Sequence, residues 1–448
     1  MSTNKGNIEE ISPAWSVVKK VAFRLAFIYF FLLAAPLDWK YWRQLFSLDW
    51  THFQSLFVVT AYSPQFIPAA KWGIASYANW ALIVLLAIPG AGLWSYLDRK
   101  RKHYNGLYYW LRVILRYRLA VGIAGYGVLM LFGLLFPSPT QSDLATSYGE
   151  FLPWKIYYLS LGAAKAHYQQ TLGAIELVAA ALLLYRRTAV VGAGLITAAL
   201  LNVVLASFAY QLGDHVYASS LLLIAFFLFA HDLPKLYALL VRERLAKADT
   251  FELVFATPQI RTARVLLKVA TVVFIAVYAA GAHAGNHGRE LLFPSAPGLS
   301  NASGYYNVKD FEVNGQPLAY SLQDPVRWQN VVFEQWNTLS VRVNRPVAIN
   351  LETPFANFEH AGHYDYESSG NGGRHFYSYK IDKTSGTIDL TGKNDPGEHL
   401  TFHYANLADG DLLLTGSDKT GNALRIVLNK IDKKYLLLEG RRKPLTIY

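Results

Sequence analysis

Apolar residues in this chain form seven long runs and then give way to short segments of alternating polarity, a change of rhythm that divides the chain in two. The runs cover 21–37, 78–97, 119–136, 168–185, 189–210, 216–230 and 265–282, each near the roughly 20 helical residues that cross a hydrocarbon core. Arg24, about one turn into the first run, is expected to snorkel toward water, and Lys268 lies near the start of the seventh. After a Gly-, Ser- and Pro-containing linker at 285–303, alternating segments appear at 306–313, 338–343, 387–390, 400–404, 412–414, 423–428 and 434–438. Asn314-Gly315, Ser385-Gly386, Asp409-Gly410 and Thr420-Gly421 supply turn signals between them. The pattern predicts an α-helical polytopic membrane protein of about seven spans with a C-terminal all-β domain, an antiparallel meander closed as a barrel or packed as a sandwich.

The expected organisation is a cytoplasmic tail at 1–16, two spans within 17–115, a four-span bundle at 116–236, a cytoplasmic loop and seventh span at 237–284, the linker at 285–303, and the β-rich domain at 304–448. Trp39, Tyr41, Trp42 and Trp50 between the first two spans suit the membrane interface, and 50–62 reads as a short helix on the outer surface. Segment 98–116 alternates cations with tyrosines and reads as an interfacial helix on the cytoplasmic face. Segment 137–167 reads as a cap over the bundle, and 354–373 as a long loop.

Charge sets the orientation. Lys and Arg crowd the N-terminal tail, the connection at 98–118, Arg186-Arg187 and the stretch 235–264, whereas the alternate loops hold few. Cations are retained on the cytoplasmic side, so the N-terminus is expected inside and, after an odd number of spans, the β domain outside. Because most of the net charge of +11 lies in these loops, it reads as topology signal and contact with anionic membrane lipid, not as nucleic-acid binding. No small-residue cleavage site follows the first run, which is expected to be an uncleaved anchor. Without cysteine, disulfides, Cys-ligated clusters and thiol chemistry are excluded.

Arg116-Tyr117, Gly125-Tyr126-Gly127, Gly173-x-x-Glu176-Leu177, the run Leu182 to Thr188, Asn202, Phe208-x-Tyr210, Tyr217 and Asp232-Leu233 together resemble the DoxX-like family of bacterial membrane proteins. Upstream, Trp94-Ser95-x-Leu97-Asp98-Arg99 and Tyr109-Trp110-Leu111-Arg112 resemble its larger members, with extra N-terminal spans and a C-terminal β domain. The resemblance implies a four-helix bundle in a bacterial cytoplasmic membrane and, by analogy at the level of fold, a bound quinone in a redox-linked role. Gln211 and His215 stand where the relatives' pattern has an aspartate and a lysine.

Glu176 is the acidic residue placed well inside a run, where a carboxylate needs a proton or a partner. It reads either as a proton acceptor for a bound polar head or as a structural carboxyl bonded to Asn202 or a tyrosine. Asn202, Tyr210, Gln211, His215 and Tyr217, with Lys165, His167, Gln169, Gln170 and Asp214 nearby, are the candidates for an outward-opening polar pocket, or else interfacial residues satisfied by water. A metal site needs such groups plus further ligands, but His283 and His287 flank Gly285 at a helix end, and Glu359, His360 and His363 fall in the expected loop, so no metal is expected. Gly122 to Gly127 lies inside a span and reads as helix packing. Two functions compete: a module binding quinone or an isoprenoid lipid, and a non-enzymatic envelope protein whose β domain recognises a lipid or protein partner.

Overall fold

The computed structural model describes residues 14–47, 53–164, 167–245, 258–285, 293–351 and 366–439. Within these the helices are α1 (Val17–Ala34), α2 (Trp39–Phe46), α3 (Phe53–Thr60), α4 (Ala78–Leu97), α5 (Asn105–Leu131) and α6 (Gln141–Leu144). They continue as α7 (Pro153–Gly162), α8 (Tyr168–Leu184), α9 (Ala189–Ala209), α10 (His215–Ala230), α11 (Leu233–Leu240) and α12 (Pro258–Gly285). The strands are β1 (Gly304–Val313), β2 (Gln316–Pro317), β3 (Asn330–Phe333), β4 (Thr338–Arg342), β5 (His375–Asp382), β6 (Thr387–Gly392), β7 (His399–Asn406), β8 (Leu412–Ser417) and β9 (Ala423–Ile431), with a last helical turn, α13 (Leu436–Glu439). Two compact units result: a helical unit of Met1–Phe132 and Gln170–Ala284, and a β unit of Gly133–Gln169 and Gly285–Tyr448.

Among the described residues of the helical unit, four helical stretches are long and apolar enough to cross a membrane: Ile74–Leu97, Asn105–Leu131, Ala189–Ala209 and Val265–Ala284. A fifth is added if α10 and α11, bent by 56° at His231-Asp232, count as one span. α1 carries Lys19, Lys20 and Arg24, and α8 has 17 residues, so neither meets that description. α5 is the hub. Of its apolar window 61% is buried, against 11% for α12, whose Val265, Leu266, Val272 and Val277 face outward. An apolar helix left uncovered by its own protein calls for a non-aqueous surround.

Three expectations in this unit change. The stretch 98–116 is not a separate interfacial helix, because from Asn105 onward it is the first half of α5. Its arginines are accommodated by rings, Arg112 lying over Tyr108 at 5.0 Å. The described part of 50–62 is not a surface helix: α3 is inserted, with Leu56, Phe57, Val58 and Thr60 buried. Gly125 makes the insertion possible, since a Cβ there would stand 2.2 Å from the Thr60 hydroxyl. Gly127 and Gly173 bring α5 and α8 together in the same way, a Cβ on Gly173 meeting the Gly127 carbonyl at 2.6 Å. Arg24 does not snorkel. It is buried and donates to Tyr104 Oη (2.9 and 2.6 Å), Ser95 Oγ (2.7 Å) and the Asp98 carbonyl (3.0 Å).

The β unit resolves the choice between barrel and sandwich. Strands β3 to β9 pair in sequence, antiparallel throughout, and β1 pairs with both β3 and β9, closing an eight-stranded barrel with β2 as a short extension of β1. Asn314 (φ 51°) and Gly315 (φ 76°) are both left-handed, as a two-residue hairpin turn of the first primed type requires. Inward residues such as Phe333, Leu339, Tyr379, Ile388, Phe402, and Ile426 fill the interior, as eight strands allow. The expected strand at 434–438 is instead α13. β3 and β5 were not legible as alternating segments, because β3 and the first half of β5 are buried on both faces.

The second covering layer on those strands comes from 133–169, which groups with the barrel. Gln169 ties its ends, accepting from Phe136 N (2.8 Å) and donating to Phe136 O (3.1 Å). Leu152 N donates to Gly370 O (2.8 Å) and Gly372 N to Glu150 O (2.8 Å), stitching the segment to the chain before β5. Part of the expected linker is folded too: Phe293 stacks on Trp336 at 4.5 Å, and Leu299 N donates to Tyr379 Oη (2.8 Å).

Candidate functional site

Glu176 lies midway along α8, where its neighbours include the Gly127 crossing. Its Oε2 is buried and has no hydrogen-bond partner among the described residues. Asn202 does not supply one, because α9 turns it to the exposed side of the helix. Tyr210, the C-cap of α9, and Gln211, held at φ 55°, are exposed at the α9–α10 turn.

His215 and Tyr217 point inward, each to a different set of partners. His215 is buried between Trp72, whose ring stacks on it at 4.9 Å, and Ser76, whose Oγ lies 2.9 Å from Nε2. Tyr217 donates to Thr60 O (3.0 Å), and Arg118 donates to the same carbonyl (3.1 Å) and to Tyr62 O. Arg118 and Tyr217 thus satisfy the backbone at the end of α3, where no helical partner is available. Gly122 leaves room for both, since a Cβ there would lie 2.9 Å from Arg118 Nη1 and from Tyr217 Oη. The six candidates therefore do not converge on one pocket. Asp214 is engaged by Ser207 Oγ at 2.8 Å. Lys165, His287, Glu359, His360 and His363 lie outside the described residues, and among those described no group of three or more His, Cys, Asp or Glu side chains is arranged to hold a metal.

A cavity of about 610 Å³ opens where the start of α1, the start of α5 and the end of α10 meet. Its polar wall is Lys19, Asn105, Tyr108, Arg112 and His231, and its apolar wall is Trp15, Ala22, Phe23, Ala26 and Phe227. Tyr108 organises the polar side: its Oη lies 3.0 Å from His231 Nδ1, and Arg112 sits over its ring. Lys19 is held over the Trp15 ring at 4.5 Å. None of these was a sequence candidate, although the spacing Tyr108-x-x-x-Arg112 places both on one helix face.

The β unit carries a third constellation, buried under 133–169. Glu334 accepts from Ser142 N (2.8 Å), Ser142 Oγ (2.6 Å) and Gln141 N (3.3 Å). Burial pushes this carboxyl up to about 7 against those hydrogen bonds. Lys155, fully buried, donates to Tyr366 O (2.5 Å), stands 3.7 Å from Asp143 and lies over the Tyr366 ring at 3.8 Å. Burial lowers its pKa, and Asp143 and Glu367 oppose the shift. Glu367 is paired with Lys393 and accepts from Trp336 Nε1 and Thr338 Oγ1 (2.6 Å each). Arg374, pushed down to about 10 by burial, donates to Ser340 Oγ (2.7 Å) and Asn330 (2.6 Å). Cations and carboxylates alternate here with most polar atoms engaged, an arrangement that fastens the segment to the barrel.

Comparison of the chain with protein-family models, with curated proteins and with solved structures finds no match. Function has to be argued from these three constellations.

Proposed function

We propose that the chain is a multi-pass membrane protein of the DoxX-like kind, with seven spans, a cytoplasmic N-terminus and an extracytoplasmic barrel in a bacterial cytoplasmic membrane. Its helical unit binds the polar head of a quinone or isoprenoid lipid at Glu176, in a redox-linked role. The outward apolar faces of α4, α9 and α12 support the membrane setting. The observation that carries the ligand reading is Glu176 Oε2, buried within apolar helices and without a partner among the described residues. An unsatisfied buried acceptor costs about 1–3 kcal/mol, which a donor on a ligand head would offset. For a quinone that donor is the hydroxyl of the reduced form, and in the oxidised form a protonated Glu176 donates to the carbonyl.

Mass spectrometry of lipids and quinones extracted from detergent-purified protein tests this reading. A quinone or isoprenoid lipid is expected to be enriched over bulk membrane and to be depleted in a stably folded Glu176→Gln variant. Unchanged ligand content in that variant would remove Glu176 from the site. The envelope-protein reading has its own supporting observation. The barrel interior is filled, so recognition by this unit falls to its surface, where Tyr320, Leu322 and Val326 are exposed on the β2–β3 connection. Crosslinking from position 322 in intact cells to a single protein partner would favour it.

A further inference from the structure

We infer that the cavity at the ends of α1, α5 and α10 is a site for an anionic phospholipid, holding the phosphate between Lys19, Arg112 and His231 with the first carbons of the tails against Phe23, Ala26 and Phe227. Among the described residues the lining contains these basic groups and no carboxylate. Of the described acids, Asp98 accepts from Tyr104 Oη (2.9 Å) and Asp232 is paired with Lys235 (2.8 Å). Tyr108 and Asn105 add neutral donors suited to phosphate or glycerol oxygens. The two cations packed on Trp15 and Tyr108 lose less freedom on binding than free side chains would.

Half the lining is apolar, which distinguishes a lipid from free phosphate or a nucleotide: Ala22, Phe23 and Ala26 of α1 and Phe227 of α10 continue the apolar faces of those helices. The volume suits a headgroup and the first tail carbons, not a whole lipid. The level also fits. The cavity includes His231, where the chain bends by 56° into α11, a short helix with Leu233, Tyr237 and Leu240 exposed beside Lys235. Such a break, with rings and cations together, marks the boundary between hydrocarbon and headgroups. The site is separate from Glu176 and rests on the membrane setting of the helical unit, which topology reporters test independently.

The experiment is native mass spectrometry and fluorescence titration of the full-length protein in neutral detergent with dioleoylphosphatidylglycerol, against dioleoylphosphatidylcholine and inorganic phosphate. Phosphatidylglycerol is expected to bind as a discrete adduct, more tightly than phosphatidylcholine, and not to be displaced by millimolar phosphate. Arg112→Gln and the more exposed Lys19→Gln should each weaken binding about fivefold, the share of one cation near a membrane surface. Lys235→Gln, outside the cavity, should leave it unchanged, and Ala26→Trp, which fills the apolar wall, should abolish the adduct. Equal affinity for the two lipids, displacement by phosphate, or an equal loss with Lys235→Gln would each overturn the assignment. So would retention of the adduct by folded Arg112→Gln and Lys19→Gln proteins.

Discussion

Glu334 shows how far a single residue's role depends on its surroundings. In sequence it is a lone acid between Asp324 and Glu352; in the fold it is buried beneath 133–169, with its carboxyl raised from an ordinary 4.5 to about 7. Between those values the folded chain holds a proton that the unfolded chain has released, so its contribution to stability falls as pH rises across that window. Lys155 acts in the opposite sense below its ordinary value, since burial lowers it from 10.5. Thermal melting between about pH 5 and pH 7 is expected to show stability of the β unit declining, with a shallower decline in Glu334→Gln. Equal slopes would mean that Glu334 is not the titrating group. Glu176 was legible as an unusual buried acid, but that its Oε2 finds no partner among the described residues was not, because only the rotation of α9 shows that Asn202 faces away. Glu176→Leu is accordingly expected to hold or raise the melting temperature.

At the scale of elements, alternation in sequence comes from polar outward residues, whether or not water reaches them. β7 has its outward residues exposed, whereas Thr338 to Val341 of β4 are all buried. Their outward neighbours, such as Ser340, meet Ser142 of the overlying segment at 2.7 Å. This makes a definite expectation for a fragment spanning 300–448. Its barrel strands pair only with one another, so strand-dominated circular dichroism should persist. Deprived of 133–169 and of the Phe293–Trp336 stack, it should melt below the β unit of the full chain. A peptide of residues 137–163 added in trans should raise that melting temperature, and no effect of the peptide would mean that the segment contributes nothing to the fold of the barrel.

At the scale of the whole molecule, the cation asymmetry leads to an expectation about topology. A reporter active only outside the cytoplasm should work when fused after Tyr448 and stay silent when fused after Arg101, an exposed residue between α4 and α5. The reverse pattern would overturn the orientation, and activity at both positions would overturn the odd number of crossings. Four or five helices satisfy length and composition alone, so the reporters also decide whether α1 and α8 cross. Both are helices that need protein on one side, α1 for the hydrogen bonds of Arg24 and α8 for the Gly127–Gly173 crossing.

Periodicity and turn chemistry were enough to divide this chain into helical and β parts and to place most strands, because apolar runs, Asn-Gly and Asp-Gly turns act locally. Barrel closure was not local: it depends on β1 meeting β9, more than a hundred residues later. Separations of more than a hundred residues also lie between Arg112 and His231 in the cavity, Thr60 and Tyr217, and Lys155 and Tyr366. Sequence determined which residues are polar within apolar surroundings. Only the tertiary structure decided which of them are satisfied, since a hydrogen bond or ion pair between distant segments leaves no periodic trace in either one.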